Sequence, residues 1–254
     1  YSTSDVNWYE YLLDKCDIKE NMNILDIGCG NGMLWYRGRK VLPDNINIYL
    51  VDNSKAMLEK AKDLHLAEQN FYNDRKIKFH YIIGNASNIN ELKELNSKKF
   101  QRIMANHMLY HIEDTERKAL FRAANNMLTD DGKFIASTIG ENHMREIFEL
   151  ASEYNKNIKA PEWFSQGFNL ENGTEQLEEY FSDIKIFYHN NNLVVPNPRA
   201  IYDYLCSLPE IEKAMKRDKD AVEKFLKNKV SESNPFYISK NTGLFTAKRR
   251  QKDA

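Results

Sequence analysis

Apolar residues in the first half of the chain gather into short continuous runs separated by stretches of helical period. The runs cover residues 23–27, 46–51, 77–83, 100–105 and 133–138. A run that is apolar at nearly every position predicts a strand buried on both faces, since a half-exposed strand would alternate. Between the runs, residues 54–66 place Met57, Leu58, Ala61 and Leu64 on one helical stripe, and residues 114–128 do the same with Leu120, Phe121, Ala124 and Leu128. Strands alternating with amphipathic helices predict an α/β fold, a parallel sheet covered by helices on both faces.

Past Thr138 the pattern changes to helical segments broken by Pro161, Gly167 and Gly173, followed by two further strand candidates, 183–188 and 243–248. An Asn-rich stretch at 190–192 reads as a turn. No repeat or Gly/Ser linker separates the halves. The expectation is therefore one domain, with a core at about 20–140 plus 183–188 and 243–248, and helical lid segments at about 1–16, 140–182 and 196–230.

Composition narrows the classes. With 254 residues, 42% of them hydrophobic, the chain can bury a large core. Thirty-six Lys and Arg against 37 Asp and Glu leave a net charge of -1, which removes the main electrostatic reason to expect a nucleic-acid partner. The one dense basic cluster, Lys248 to Lys252, reads as a solvated tail. Cys16, Cys29 and Cys206 are odd in number and lack zinc-ligand spacing, so a reducing, cytoplasmic setting and no metal are expected. No run approaches the ~20 apolar residues that span a bilayer, and no charged-then-apolar leader opens the chain. The first residue is Tyr1 rather than Met, from which an upstream segment is expected.

The sharpest local feature is Ile24-Leu25-Asp26-Ile27-Gly28-Cys29-Gly30-Asn31-Gly32, a strand that runs into a turn with glycine at every second position. Glycine tolerates positive φ and has no Cβ, so such a turn lets a ligand approach the backbone ahead of a helix N-terminus. A dinucleotide turn has the spacing G-x-G-x-x-G, and position 33 here is Met33. Asp26, two residues before the first glycine, opposes a pyrophosphate and favours a cationic group such as an α-ammonium. Asp52 closes the next strand, where a carboxylate can accept both hydroxyls of a ribose.

On these residues the chain resembles the class I S-adenosylmethionine-dependent methyltransferases, whose first motif is acidic-x-Gly-x-Gly-x-Gly. Gly84-Asn85-Ala86 is similar to the family's Gly-Asp-Ala after the third strand. Residues 100–111 (FQRIMANHMLYH) resemble its fourth-strand motif, and residues 127–134 the turn before its fifth strand. A narrower resemblance, to a bacterial group of small-molecule methyltransferase-like proteins, rests on Ala105 to His111, on Ser137 to Glu146, on Phe168 to Gly173 and on the N-terminal Tyr1-Ser2-Thr3 and Trp8. Asn85 stands where the family usually has an acid, and Gln101 where an Asp usually follows the fourth-strand Phe.

The resemblance implies a Rossmann-like three-layer sandwich, with a seven-stranded, mostly parallel sheet and one antiparallel strand, here assigned to 243–248. It implies S-adenosylmethionine as cofactor and S-adenosylhomocysteine as product. Cofactor contacts are expected at Asp26, Gly28, Cys29, Gly30, Asp52, Asn53, Asn85, Ala86, Asn106 and His107, with Asn85 at the adenine and Asn106 and His107 at the methionine part.

Methyl transfer mainly requires that two reactants be aligned, and a base is needed only where the acceptor carries a proton. The candidates for that role are His111, four residues beyond His107, and His143, ahead of a helix after the fifth strand. Phe148, Tyr154, Trp163, Phe164, Phe168, Tyr202 and Tyr204 either line an acceptor chamber or fill an ordinary core. Trp8, Tyr9 and Tyr11 pose the same choice at the N-terminus. The expected acceptor is a nitrogen or oxygen of a small molecule or short peptide, with neither nucleic acid nor membrane as partner. The alternatives are a catalytically silent cofactor-binding scaffold and a nicotinamide-dependent oxidoreductase, which the glycine spacing and Asp26 disfavour.

Overall fold

The computed structural model describes residues 1–159 and 167–251. Among these residues the strands are β1 (Asn23–Ile27), β2 (Asn47–Asp52), β3 (Lys78–Ile83), β4 (Phe100–Asn106), β5 (Leu128–Ile139), β6 (Phe181–Tyr188), β7 (Leu193–Val195), β8 (Phe236–Ile238) and β9 (Thr242–Arg249). The chain divides into two compact units. The larger comprises Val6–Ile139, Gly167–Tyr188 and the described residues of Gly243–Ala254; the smaller comprises Tyr1–Asp5, the described residues of Gly140–Gln166, and His189–Thr242.

The larger unit is built on a seven-stranded sheet in the order β3-β2-β1-β4-β5-β9-β6. β1 lies parallel between β2 and β4, with Ile27 opposite Val51 on one side and Ala105 on the other. β9 is inserted between β5 and β6 and runs antiparallel to β6, as expected for 243–248. Successive β1 side chains enter different clusters: Leu25 and Ile27 join Phe100, Phe121, Phe134 and Phe181, whereas Ile24 joins Leu12, Trp35, Ile48 and Met104. That is why the strands read as unbroken apolar runs.

Helices α1 (Trp8–Cys16), α2 (Met33–Arg37), α3 (Lys55–Ala67), α4 (Gln69–Asp74) and α5 (Asp114–Met127) belong to the same unit. Ser54 caps α3, its hydroxyl accepting from the Met57 amide at 3.4 Å. Three local expectations change. The buried stripe of α3 is Leu58, Ala61 and His65, and Met57 is turned outward. β5 begins at Leu128 instead of 133, because the β4–β5 register shifts between Phe100 and Arg102 and residues 129–132 ride in that irregularity. Gly173 starts a short helix (Gly173–Glu178) instead of breaking one; a Cβ there would stand 2.6 Å from the Phe245 ring.

In the smaller unit β7 and β8 form an antiparallel ribbon, and the first residues extend it: Ser2 bridges to Leu193, and the Thr3 amide donates to the Asn192 carbonyl at 2.9 Å. Helices Arg145–Tyr154, Pro198–Leu205, Pro209–Arg217 and Lys219–Lys229 pack around Ile147, Ile201, Leu205, Met215, Val222 and Leu226. Strands of three residues carry too little alternation to be read from sequence. The aromatic set divides. Phe168 is wholly buried in the larger unit's core, Phe148 and Tyr202 are buried in the smaller unit, and Trp163 and Phe164, like Pro161, lie outside the described residues.

Candidate functional site

The C-terminal ends of β1, β2, β3 and β4 converge on a cleft of about 530 Å³ in the larger unit. Parallel strands expose their last backbone groups at one edge of the sheet, which is where ligands of open α/β sheets gather. The glycine turn forms one wall. Gly28, Gly30 and Gly32 all adopt positive φ, +69°, +55° and +71°. A Cβ on Gly28 would stand 3.0 Å from Met108, whereas one on Gly30 would meet nothing within 4 Å. Gly30 therefore presents bare backbone to open space.

Asp52 fixes the shape of this wall. Its Oδ2 accepts from the Gly30 amide at 2.8 Å and its Oδ1 from the Ser54 amide at 2.9 Å. One carboxylate thus ties the β1 turn to the start of α3, and it lines the cleft with Asn53 and Ser54. Gly84, Asn85 and Ala86 line it after β3; the Asn85 side chain caps the following turn by accepting from the Ser87 amide at 3.1 Å. After β4 come His107, Met108, His111 and Ile112. His107 has a φ of +49°, a conformation uncommon for a non-glycine residue, and its amide donates to the Ser137 carbonyl at 3.0 Å. Its ring lies 5.4 Å from that of Trp8 on α1.

Eight of the expected residues thus line one cleft: Gly28, Gly30, Asp52, Asn53, Asn85, Ala86, His107 and His111. Asp26, Cys29 and Asn106 stand behind them. Asp26 is 1% exposed, and its carboxylate accepts from the Trp35 indole at 2.8 Å and from the Asn106 amide at 3.4 Å. Burial pushes its pKa up to about 7, against the pull of those two donors. Burial likewise raises the Cys29 thiol, leaving it protonated. Asn106 also accepts from the Ser137 hydroxyl at 3.3 Å.

Burial depresses His111, so its imidazole is neutral at physiological pH and able to take a proton. Buried Arg117 holds the segment that carries it, donating to the carbonyls of Leu109 and Ile112 at 3.3 and 2.8 Å. His143 belongs to the smaller unit, where its Nδ1 donates to the Asn241 carbonyl at 3.1 Å. Burial, reinforced by the charge of Lys240, pushes its pKa down to about 4.

Sequence reasoning missed Ser54, Met57, Gly84, Met108 and Ile112 as cleft residues, and Arg117 as the support of the His111 segment. Met57 carried a signal that pointed elsewhere, since its helical spacing is that of a core residue. No group of three or more metal-ligating side chains occurs among the described residues, and none of their helices is long and apolar enough to cross a membrane.

The donor set suits an adenosyl cofactor. A carboxylate at the end of β2 is available to vicinal hydroxyls, an amide follows β3, and a Cβ-free turn leaves room for a chain to lie on the backbone. Such a sheet, with its cleft at the switch between β1 and β4, defines a class I methyltransferase fold. The chain belongs to the methyltransferase-domain family, which matches residues 18–194. No curated protein matches it.

Solved structures match over almost the whole chain. A phosphoethanolamine N-methyltransferase 2 from Haemonchus contortus, in complex with phosphomonomethylethanolamine and S-adenosylhomocysteine, is similar at 18% identity and a TM-score of 0.54, with 96% of this chain and 53% of that one covered. The chain thus spans about half the length of that enzyme. The YcgJ protein of Bacillus subtilis is similar at 15% identity and a TM-score of 0.57, covering 96% and 98%. A methyltransferase-like protein from Bacillus halodurans is similar at 12% and 0.56, covering 96% and 99%.

Proposed function

We propose that the chain transfers a methyl group from S-adenosylmethionine to a nitrogen or oxygen of a small molecule or short peptide. The observation that carries this reading is the Asp52 clamp: one carboxylate holds the open glycine turn on one side and faces the cleft on the other. S-adenosylmethionine supplies a methyl group on a positively charged sulfur, a leaving group that needs no further activation.

The residues of the cleft divide the remaining work. Asp52 takes the ribose hydroxyls, and Asn53 extends that wall. Asn85 and Ala86 take the adenine edge, where the carboxamide replaces the charge of an acid with a donor and an acceptor. The backbone of Gly28, Cys29 and Gly30, with Asn106 and His107, takes the methionine part, and Asp26 stands behind the turn, where its ionised form favours a cationic end. His111, neutral and beside Met108 and Ile112, accepts the proton of a hydroxyl or ammonium acceptor or orients it.

Parallel calorimetric titrations with S-adenosylmethionine, S-adenosylhomocysteine and NAD test this assignment. Both adenosyl ligands are expected to bind and NAD to stay silent. Asp52→Ala is expected to weaken the adenosyl ligands by about 1.5 to 3 kcal/mol, the range for hydrogen bonds to a charged group. Binding of NAD alone, or an Asp52→Ala variant with unchanged affinity, overturns it.

A further inference from the structure

The basic cluster at 248–252 is no solvated tail over its described residues. Lys248 and Arg249 lie in β9 and are ion-paired, Lys248 with Asp183 at 2.7 Å and Arg249 with Asp130. Arg250 is held differently. Its backbone exchanges two hydrogen bonds with the Asn125 side chain, donating at 2.9 Å and accepting at 3.2 Å, which fastens the end of β9 to α5. Its Nη1 donates to the carbonyls of Glu178 and Glu179 at 2.7 and 3.1 Å, at the end of the helix Gly173–Glu178. No carboxylate pairs with Arg250 among the described residues.

Beside it opens a cavity of about 620 Å³, lined by Arg122, Asn125 and Asn126 of α5, by Glu179 and Tyr180 ahead of β6, and by Arg250. All of these belong to the larger unit. The cavity lies at the edge of the sheet opposite the cleft, because α5 leads here into the start of β5, and the two share no residue. Tyr180, only 7% exposed, forms one wall. The Arg122 guanidinium stands 5.5 Å from the centre of its ring, and the Arg122 Nη2 donates to its hydroxyl at 3.4 Å. Burial and hydrogen bonding to the Glu179 carboxylate raise the pKa of that hydroxyl, so the phenol and the carboxylate satisfy each other. Arg122, like Arg250, has no ion pair among the described residues.

Two guanidiniums therefore face one cavity against a single carboxylate that a phenol already engages. Like charges held around one space repel, and an anion between them relieves that repulsion. The bonds described use one nitrogen of each guanidinium, Nη2 of Arg122 and Nη1 of Arg250, and leave the rest of each planar donor fork for a carboxylate or phosphoryl group. Both side chains are already fixed on the protein, so a ligand pays little to order them.

We infer that this cavity is a second small-molecule site, taking a ligand whose phosphoryl or carboxylate group is held between Arg122 and Arg250. This inference does not rest on the methyltransferase reading, and its test uses no adenosyl ligand.

The probes are sodium phosphate and sodium citrate, each compared with sodium chloride at matched ionic strength and pH 7.5. Affinity is read by calorimetry, and the place of binding by the side-chain amide resonances of Asn125 and Asn126 and the backbone resonances of Gly28 and Gly30. The wild-type chain is expected to bind at least one probe, with shifts at the two asparagines and none at the glycines. Arg122→Gln is expected to bind it at least about tenfold more weakly, through the loss of charge-assisted hydrogen bonds. Glu179→Gln, which removes the opposing charge, is expected to bind it about threefold more tightly. Arg145→Gln, at an arginine ion-paired with Glu149 in the smaller unit, is expected to stay within about twofold of wild type.

Phosphate binding without citrate binding identifies a phosphoryl ligand, and the reverse a polycarboxylate; either supports the site. Silence toward both probes, shifts at the glycines in place of the asparagines, or an affinity that Arg122→Gln leaves unchanged overturns it. If Arg122→Gln does not fold, Arg122→Lys carries the comparison: it keeps the charge but loses the planar fork, and is expected to bind several-fold more weakly than wild type.

Discussion

Asp26 shows how one side chain can hold the cleft without lining it. Its carboxylate sits behind the glycine turn, accepts from Trp35 and Asn106, and has its pKa pushed up to about 7 by burial. A carboxyl that ionises near 4 in the unfolded chain and near 7 in the folded one binds more protons when folded over that interval. Its contribution to stability is therefore complete below about pH 4 and is lost as the pH climbs toward 7. Asp26→Asn keeps an acceptor for the indole and cannot ionise. The difference in unfolding free energy between Asp26→Asn and wild type, from urea titrations at pH 4 to 8, is expected to grow in favour of the variant by a few kcal/mol, on the order implied by a shift of this size. Parallel curves would mean that the carboxylate is charged throughout. His65 belongs to the same scale: it is buried on α3, its Nδ1 pairs with the Tyr81 hydroxyl at 2.9 Å, and burial pushes its pKa down to about 4. It packs beside Gly32, where a Cβ would stand 3.1 Å from its Nε2. The third glycine of the turn is thus a requirement of packing as well as of backbone angle.

At the scale of elements, the segment between β4 and α5 depends on Arg117. Its guanidinium, itself buried, bonds the carbonyls of Leu109 and Ile112 and the Gln176 side chain, and so brackets His111. Arg117→Met keeps the length and apolar volume but leaves those carbonyls unpaired, which is expected to cost about 2 to 4 kcal/mol of stability. If the bracket is what keeps His111 part-buried, its imidazole pKa rises toward the free value in the variant. Proton NMR of the His111 ring reads this directly, and an unmoved pKa with the stability lost would limit Arg117 to the fold. The outline of these elements is legible in the sequence. The five apolar runs and the strand at 243–248 follow from periodicity, and the cleft ends of β1 and β2 from the glycine spacing and Asp52, whereas the insertion of that strand and the cleft ends of β3 and β4 are implied by the family resemblance. Three things were not legible. The irregularity in β5 arises from pairing with β4, a long-range event. Met57 has the spacing of a core residue and faces the cleft. Asp26 carries the signature of a ligand-facing acid yet turns to Trp35, because indole and carboxylate meet only once the chain has folded.

On the scale of the whole molecule, two units with separate cores are woven from alternating stretches of one chain, which passes from the smaller into the larger at Val6 and returns at Gly140. The cleft draws on segments scattered over residues 28–112, all in the larger unit and all at the ends of neighbouring parallel strands. A ligand seated there touches the ends of four hydrogen-bonded strands at once, so its binding energy opposes the opening of the sheet as a whole. The contribution is RT ln(1 + [L]/Kd), about 2.7 kcal/mol when the ligand is a hundredfold above its dissociation constant. The amides of β1 and β4, central in the sheet and buried, exchange with solvent only through large openings. Hydrogen exchange with S-adenosylhomocysteine at that excess is therefore expected to slow those amides about a hundredfold, to a similar degree in both strands. Protection limited to the glycine turn, with β4 unchanged, would mean that the ligand binds a loop without engaging the ends of the sheet, and the shared cleft would lose its role as the cofactor site.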